Sequence, residues 1–166
     1  MATPNKIGAQ LATLGLLTDV DTTKRNFLGA RVQDDQGGEY VYLQGIASLA
    51  AGDFIVYGNA AAPYVVTRLV NDANSGGAGS VALAMAAALA TQFGWFQVYG
   101  PSQANANVAT TASIGVQLYR SGTTGRAAVT AVAKDCLFGV YTMAASVANV
   151  GQVFLDYPTV TDQSTL

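Results

Sequence analysis

Residues 93–100 read Phe-Gly-Trp-Phe-Gln-Val-Tyr-Gly, and they contain the only tryptophan of the chain together with three other aromatic residues. Because successive side chains of a β-strand point to opposite faces, this segment would place its residues alternately on two faces. One face would carry Phe93, Trp95, Gln97 and Tyr99, and the other Gly94, Phe96, Val98 and Gly100. Such a strand suits close packing against a second sheet or a second subunit. The stretch therefore predicts a structural strand and not a catalytic element.

The same β pattern recurs along the chain from residue 27 onward. Short segments rich in β-branched and aromatic residues alternate with turns rich in glycine, asparagine and aspartate. The predicted strands cover residues 27–33, 39–44, 53–57, 64–70, 93–100, 114–119, 127–133, 136–144 and 152–157. Strands at this spacing indicate a sandwich or a barrel. We therefore predict an all-β fold in which residues 27–166 form one β-sandwich or jelly-roll-like barrel.

Charged residues are scarce in this chain. They make up 11% of its 166 residues, against about 25% in an ordinary soluble domain. A surface with so few charges tends to associate, as expected of a subunit in an assembly. The basic residues are scattered, and only Lys24 and Arg25 are adjacent. Because duplex binding needs a clustered basic face, direct nucleic-acid binding is not expected.

Residues that commonly perform catalysis are nearly missing. The chain has no histidine, Glu39 is its only glutamate and Cys136 its only cysteine. A hydrolase needs a nucleophile with an activating base. We therefore predict no enzyme, and no catalytic, metal or cofactor residue. Cys136 lies in an apolar segment, which predicts a buried strand position.

Two apolar stretches bear on membrane insertion and secretion. The longest uninterrupted one covers residues 81–90, which is about half of the roughly 20 residues that a membrane helix needs. Residues 7–17 are interrupted by polar residues and lack a small-residue cleavage site. Neither a membrane contact nor a signal peptide is expected.

Residues 1–26 differ from the rest of the chain and are predicted to form an N-terminal arm. They contain no aromatic residue, and their leucines are Leu11, Leu14, Leu16 and Leu17. The spacing over residues 7–17 permits a short helix. An extended arm that packs its leucines on a neighbouring chain fits equally well. We expect the arm to be ordered only in the assembled state.

Three stretches together resemble the capsid decoration proteins of tailed bacteriophages, also called head-stabilisation or cement proteins. The first reads Phe-Leu-Gly-Ala-Arg-Val at residues 27–32 and continues with Glu-Tyr-Val-Tyr-Leu at residues 39–43. The second is residues 47–57, which end in Gly-Asp-Phe-Ile-Val-Tyr, and the third is residues 93–100 with the upstream residues 81–85. Residues 139–140 and 153–158 are similar to the closing strands of that group.

The resemblance implies a β body on the outer surface of an expanded phage capsid. There it would clamp adjacent major capsid proteins and stabilise the head against the pressure of packaged DNA. The implied partners are the major capsid protein and copies of the chain itself, as a homotrimer or alternatively a homodimer. The protein would be made in the host cytoplasm and reside in the virion.

Two other functions are kept as alternatives. One is a different structural virion component, such as a head-fibre base or a tail-associated β module. The other is a host-surface carbohydrate-binding module, with some of the tyrosines lining a sugar-binding face.

Two further predictions accompany the resemblance. The alanine content of residues 81–92 favours a helix, but the resemblance favours a strand to about Ala86, and we predict the strand. The residues predicted to contact other subunits or the capsid are Leu11, Leu14, Leu16, Leu17, Phe27, Arg31, Trp95 and Tyr99.

Overall fold

The computed structural model of the protein describes residues 16–69, 79–88, 90–109, 112–130 and 136–160. Within these ranges the chain forms thirteen strands and no helix. The strands are β1 (Val20–Asp21), β2 (Arg31–Gln33), β3 (Glu39–Gln44), β4 (Phe54–Tyr57), β5 (Thr67–Arg68), β6 (Gly79–Ala84), β7 (Phe93–Pro101), β8 (Ala106–Asn107), β9 (Gln117–Arg120), β10 (Ala127–Ala128), β11 (Cys136–Thr142), β12 (Val150–Gly151) and β13 (Val153–Val160).

Eleven of the described strands belong to one antiparallel sheet. Its main path runs β10-β9-β11-β13-β6-β7-β3-β2, with β1 paired to β7, β4 paired to β6, and β5 paired to β4. Strands β8 and β12 form a separate pair. The path has two ends and is not closed into a barrel. These observations confirm the predicted all-β class, and the open sheet is consistent with the predicted β-sandwich.

Strand β7 is buried on both faces, as its alternating pattern predicts. Trp95 lies in one core cluster with Tyr40, Tyr42, Met85 and Leu17. Phe96 and Val98 lie in another core cluster, which includes Val41, Leu43 and Ile55. The ring centroids of Trp95 and Tyr42 are 5.0 Å apart. The tryptophan is 2% exposed, so its ring packs inside the chain.

Residues 81–84 lie in strand β6, which confirms the predicted strand at this ambiguous position. Val81 and Leu83 face a third core cluster, built around Phe54, Leu118, Leu137 and Leu155. Ala82 and Ala84 face the cluster that contains Phe96. Because both faces of the strand are buried in different clusters, tertiary packing outweighs the helix propensity of alanine.

Several predicted strand boundaries differ from the observed ones. Residues 27–30 form a turn, and β2 begins only at Arg31. The turn depends on Gly29, whose φ is +84° and where a Cβ atom would lie 2.5 Å from the Tyr64 ring. Residues 64–66 lie outside β5. Cys136 is the first residue of β11 and is half-buried, so its strand position is confirmed and its full burial is not.

The end of the predicted N-terminal arm is joined to the sheet. Strand β1 pairs with β7, with Val20 opposite Gly94 and Asp21 opposite Phe93. Leu17 is 5% exposed and packs in the cluster that contains Trp95. Backbone pairing with the body therefore begins before the predicted boundary at residue 27. Residues 1–15, with Leu11 and Leu14, lie outside the described residues.

Side chains also attach this segment to the sheet. The Tyr42 hydroxyl donates a hydrogen bond of 2.6 Å to Oδ2 of Asp21. The Arg25 Nε atom lies 2.9 Å from Oδ1 of the same carboxylate. A neighbouring pair on β3 repeats the arrangement, because the Tyr40 hydroxyl donates a 2.7 Å hydrogen bond to Asp34. Two tyrosines on one face of β3 thus each hold a carboxylate of another segment.

The Tyr42 contact predicts a loss of stability at alkaline pH. Burial of the hydroxyl, together with its hydrogen bond to Asp21, raises the pKa of Tyr42 from 10.0 to about 12. Because the folded pKa exceeds the unfolded one, the stability that this group contributes is complete below pH 10. It is lost as the pH rises through about 12. Wild-type protein should exceed Tyr42→Phe in unfolding free energy by about 2 kcal/mol at neutral pH.

Urea unfolding at stepped pH measures this effect. The difference between wild type and Tyr42→Phe should shrink between pH 10 and about pH 12. Tyr64→Phe is the matched control, because the Tyr64 ring is 43% exposed. If the difference for Tyr42→Phe stays constant from neutral to alkaline pH, the proposed role of the contact is wrong.

Candidate interaction surface

Four aromatic rings from three strands form a continuous row, which we call the aromatic stripe: Tyr141, Phe154, Tyr99 and Tyr157. Ring centroids are 5.3 Å apart for Tyr141 and Phe154, which are stacked, and 5.7 Å apart for Phe154 and Tyr99, which meet edge to face. Tyr99 and Tyr157 are stacked at 5.1 Å. Tyr141 and Tyr157 are 43% and 47% exposed, so the row lies at the surface.

Strand register explains how the stripe forms. Tyr141 on β11 is directly opposite Phe154 on β13, and Asp156 on β13 is opposite Tyr99 on β7. Side chains that are opposite or diagonal across an antiparallel pair are within contact distance. Tyr99 thus reaches Phe154 diagonally. The stripe is a consequence of three strands lying side by side in this register.

Tyr157 joins the stripe through an irregularity in β13. Phe138 pairs with Thr159 and Val140 with Leu155, so three residues of β13 are opposite the single residue Gly139. At this bulge β13 changes partner, because residues 154–156 pair with β7 whereas Thr159 and Val160 pair with β6. Bulges redirect side chains and often lie next to functional sites.

The bulge places a bulky residue in a strained conformation. Tyr157 has φ +44°, in the left-handed region. Gly139, with φ +74°, lies against it, and a Cβ atom there would be 2.5 Å from the Asp156 carbonyl oxygen. An aromatic residue in this region is a rare outlier that costs about 1–3 kcal/mol and occurs preferentially at functional sites. The surroundings thus hold an exposed tyrosine in a conformation that its own backbone disfavours.

Charged side chains surround the Tyr157 end of the stripe. The Arg31 guanidinium lies 5.8 Å from the centroid of the Tyr157 ring. A hydrogen bond with Glu39, more than any other contact, raises the pKa of the Tyr157 hydroxyl. Asp156 is exposed next to Tyr157. Arg31 forms no ion pair with any residue in the described part of the chain. This end of the stripe therefore presents one cation and two carboxylates.

A pocket beside Tyr157 is too small for an organic ligand. It is lined by Arg31, Tyr57, Ser80, Val81, Val98, Tyr157 and Pro158 and holds about 40 Å³. Ligand sites usually have about 300 Å³ or more, and one water takes about 30 Å³ of liquid volume. The pocket therefore holds only water or the end of a single side chain.

Beyond Tyr141 the exposed apolar surface continues into loops, where four residues form what we call the aliphatic tip: Ile114, Met143, Val147 and Val150. Ile114 and Val147 are 71% and 72% exposed. Val147 and Val150 exchange two backbone hydrogen bonds, and the intervening Ala148 and Asn149 have φ +51° and +66°. Two positive φ values are the signature of a type I′ hairpin turn. No charged residue occurs in residues 136–155, which include three members of the tip.

A buried serine connects the loops of the tip. The Ser146 hydroxyl donates to the Ala109 carbonyl at 2.8 Å and accepts from the Ala112 N–H at 2.9 Å. These bonds tie the hairpin that carries Val147 and Val150 to the segment that leads to Ile114. The tip is therefore anchored at its base while its aliphatic side chains are exposed.

The structure separates the six predicted interface residues that it describes into three groups. Arg31 and Tyr99 come together at the charged end of the aromatic stripe. Leu17 and Trp95 are buried in the core of the same chain, in one cluster with Tyr40, Tyr42 and Met85, so neither is on the surface available to a partner. Leu16 and Phe27 are 43% and 87% exposed, away from the residues that form the stripe contacts. Leu11 and Leu14 lie outside the described residues.

Sequence reasoning missed Phe154 and did not single out Tyr141 or Tyr157. The alternation of Phe154 with Leu155 and of Tyr141 with Val140 is a usable signal for an exposed face. Tyr157 carries no such signal, because its direction depends on the bulge opposite Gly139.

In the described residues no three histidine, cysteine, aspartate or glutamate side chains lie close enough together to hold a metal ion. None of the described segments is a helix of the length and apolarity required to span a membrane.

Comparison with known proteins gave no match: no family model fits the chain, and no similar curated protein or solved structure was found.

Proposed function

We propose that this chain is a non-enzymatic structural virion protein that binds the outside of an expanded phage capsid and clamps adjacent major capsid proteins. The observation that carries the proposal is the extended exposed apolar surface, formed by the aromatic stripe and the aliphatic tip, on an all-β body. Exposed hydrophobic residues that occur singly are ordinary, whereas a contiguous patch is typical of a binding surface.

The apolar composition of this surface favours binding in which side chains are buried against the capsid. Apolar area removed from water contributes about 25 cal/mol per Å², and aromatic side chains bury roughly 150–250 Å² each. Few charges must be desolvated, because residues 136–155 carry none. Several modest contacts made by linked copies would act together, so that attachment of an assembly is much tighter than that of one chain.

The body is suited to transmitting load between such contacts. Three core clusters pack against the strands of one extended sheet. Packed protein interiors have low compressibility and transmit strain. A sheet held in this way can connect two capsid subunits without deforming greatly when the packaged DNA pushes outward.

The ring geometry favours a protein partner over a sugar. Carbohydrate recognition by an aromatic side chain uses the open face of its ring. Within the stripe, Tyr99 stacks on Tyr157, and Tyr141 stacks on Phe154. The Arg31 guanidinium lies against the Tyr157 ring as well. Contacts within the chain thus cover at least one face of the Tyr141, Tyr99 and Tyr157 rings, which leaves less ring surface for stacking on a sugar.

Adding the purified protein to expanded and unexpanded heads of its own phage tests the proposal. Expanded heads should gain mass and rupture at a higher temperature, and unexpanded heads should bind much less. Mass is measured by sedimentation and rupture by the release of DNA on heating. Expanded heads whose mass and heat resistance are unchanged would show that the proposal is wrong.

A substitution in the aliphatic tip provides a site-specific test. Val147→Asp should weaken head binding at least about tenfold, because a charge would replace a 72% exposed aliphatic side chain at the contact. Ala47→Asp is the matched control. Ala47 is exposed and follows β3, whose Gln44 pairs with Phe93, whereas β13 meets β7 at the opposite end, near Pro101. Equal binding by both variants would exclude the tip as the contact.

A further inference from the structure

We propose that the Tyr157 end of the aromatic stripe is the docking site for a second copy of this chain, with the two copies related by a two-fold axis close to Tyr157. The inference rests on the proposed function for its role, since association of copies gives a capsid clamp its second attachment.

Charge complementarity identifies the occupant. In a two-fold interface the same surface of both copies is in contact. If a residue of one copy contacts a second residue of the partner, the second residue of that copy therefore contacts the first residue of the partner. The stripe end meets this condition when the axis passes between Arg31, which lies at the Tyr157 ring, and Asp156, which precedes Tyr157 and is exposed. A second copy turned about that axis brings Arg31 to the partner's Asp156 and Asp156 to the partner's Arg31. Two ion pairs form from one contact.

The position of the Arg31 side chain favours an ion pair with a second copy. Its guanidinium lies against the Tyr157 ring, which favours the cation and restricts its position. It forms no ion pair with the residues of the described ranges. An arginine held in this way keeps N–H donors for a planar, two-pronged bond to a carboxylate. Within the described residues Arg31 is therefore available to a carboxylate of a second copy.

A purely acidic partner would fit less well than a second copy. Such a partner would satisfy Arg31 but would bring its own negative charge towards Asp156 and Glu39. Like charges at an interface cost several kcal/mol and exclude wrong partners. A second copy offers both signs in the same arrangement. The net charge of −2 adds little repulsion between copies.

The proposed interface lies on several neighbouring strands. The stripe and Arg31 cross strands β11, β13, β7, β3 and β2, which are neighbours in that order. Four strand spacings amount to about 19 Å. A stable interface buries about 800 Å² on each partner, with aromatic residues at its centre and polar residues at its rim. Tyr157 and Tyr99 supply that centre and the charged residues supply that rim, which leaves Tyr141 and the aliphatic tip for the capsid.

Charge reversal tests the inference on the full-length protein in the absence of capsids. Sedimentation equilibrium should show wild-type dimers at micromolar concentration. Arg31→Asp and Asp156→Arg should each raise the dimer Kd at least about tenfold, because each places like charges opposite one another twice. The combined variant should restore the dimer, since the two charges are then exchanged. Lys24→Asp changes the net charge by the same amount as Arg31→Asp and should leave the Kd unchanged, because Lys24 lies outside the stripe.

A second variant tests dimerisation independently if a charge reversal impairs folding. Tyr157→Asn removes the ring at the proposed axis, and asparagine tolerates positive φ. This variant should be monomeric, with a melting temperature at or above that of wild type.

Each remaining outcome overturns the inference. A monomeric or trimeric wild type, dimers in Tyr157→Asn, or a combined variant that remains monomeric would each show it to be wrong. Head binding is measured separately, so a monomer that still binds heads would contradict this inference alone. A dimer that ignores heads would contradict only the proposed function.

Discussion

Replacing Trp95 with alanine should lower the free energy of unfolding by about 4 kcal/mol, as is usual when a buried aromatic side chain is truncated to alanine. The ring is 2% exposed and fills the space between Leu17, Tyr42 and Met85. Its removal leaves a cavity that β1 and β3 border, and both strands are hydrogen-bonded to β7. The surrounding backbone therefore has little freedom to close the cavity.

Urea unfolding followed by circular dichroism measures this effect. Phe27→Ala is the matched control, because the Phe27 ring is also aromatic but is 87% exposed. Its substitution should change the unfolding free energy by less than about 0.5 kcal/mol. An unaltered unfolding midpoint for Trp95→Ala would place the tryptophan on the surface and contradict the described core.

Replacing Gly52 with alanine should destabilise the protein by about 3 kcal/mol or more. Gly52 has φ +82°, a conformation in which alanine costs roughly 1–2 kcal/mol. A Cβ atom at this position would also lie 2.0 Å from the carbonyl oxygen of Asn105. Because the obstructing atom belongs to the backbone, the loop before β8 must move, and overpacking of this kind adds about 1–3 kcal/mol.

Gly58 separates the two causes of this loss. It has φ +92° and no heavy atom within 4 Å of a Cβ atom placed there. Gly58→Ala therefore carries the backbone cost alone and should destabilise by about 1–2 kcal/mol. The difference between the two variants measures the contact with Asn105. Equal unfolding midpoints for the two variants would show that the loop before β8 yields freely.

The close approach at Gly52 belongs to a polar network that joins several loops. Gly52 accepts a backbone hydrogen bond from Asn107, and the buried carboxylate of Asp53 lies 3.0 Å from Arg68 Nε. Asn107 donates to Asp53 at 3.3 Å and accepts from Arg126 at 3.1 Å. The turn at residues 50–53, strand β5, strand β8 and the turn before β10 thus share one set of contacts. Gly52 and Asp53 are adjacent in the sequence, but the sequence does not show that Asn105, Asn107 and Arg126 lie beside them.

The local alternation of side chains in the sequence was sufficient to predict strands β7 and β3. The alternation over residues 93–100 predicted which side chains of β7 share a face, and the two core clusters confirm it. Strand β3 was likewise predicted at its observed bounds, residues 39–44. Both succeeded because the two-residue period of a strand is a property of the backbone and holds wherever the strand lies in the sheet.

Predictions of exposure were less successful. Trp95 was assigned to a subunit interface, whereas the chain covers the ring with its own residues 17–21 and β3. A pattern of large rings on one face shows that the face is covered, but it does not show whether the same chain or another chain covers it. Strand β1 was not predicted, since it has only two residues and no periodicity from which to recognise it.

By itself the sequence determined the all-β class, the two-sided burial of residues 93–100 and a charge-poor exterior, because composition and alternation act locally. Only the tertiary structure decided that Tyr141, Phe154, Tyr99 and Tyr157 lie in one row with Arg31 at its end. These residues come from separate strands, and their contact depends on strand order, on register and on the bulge opposite Gly139. Register is set by many weak cross-strand contacts acting together, so no single stretch of the chain encodes this surface.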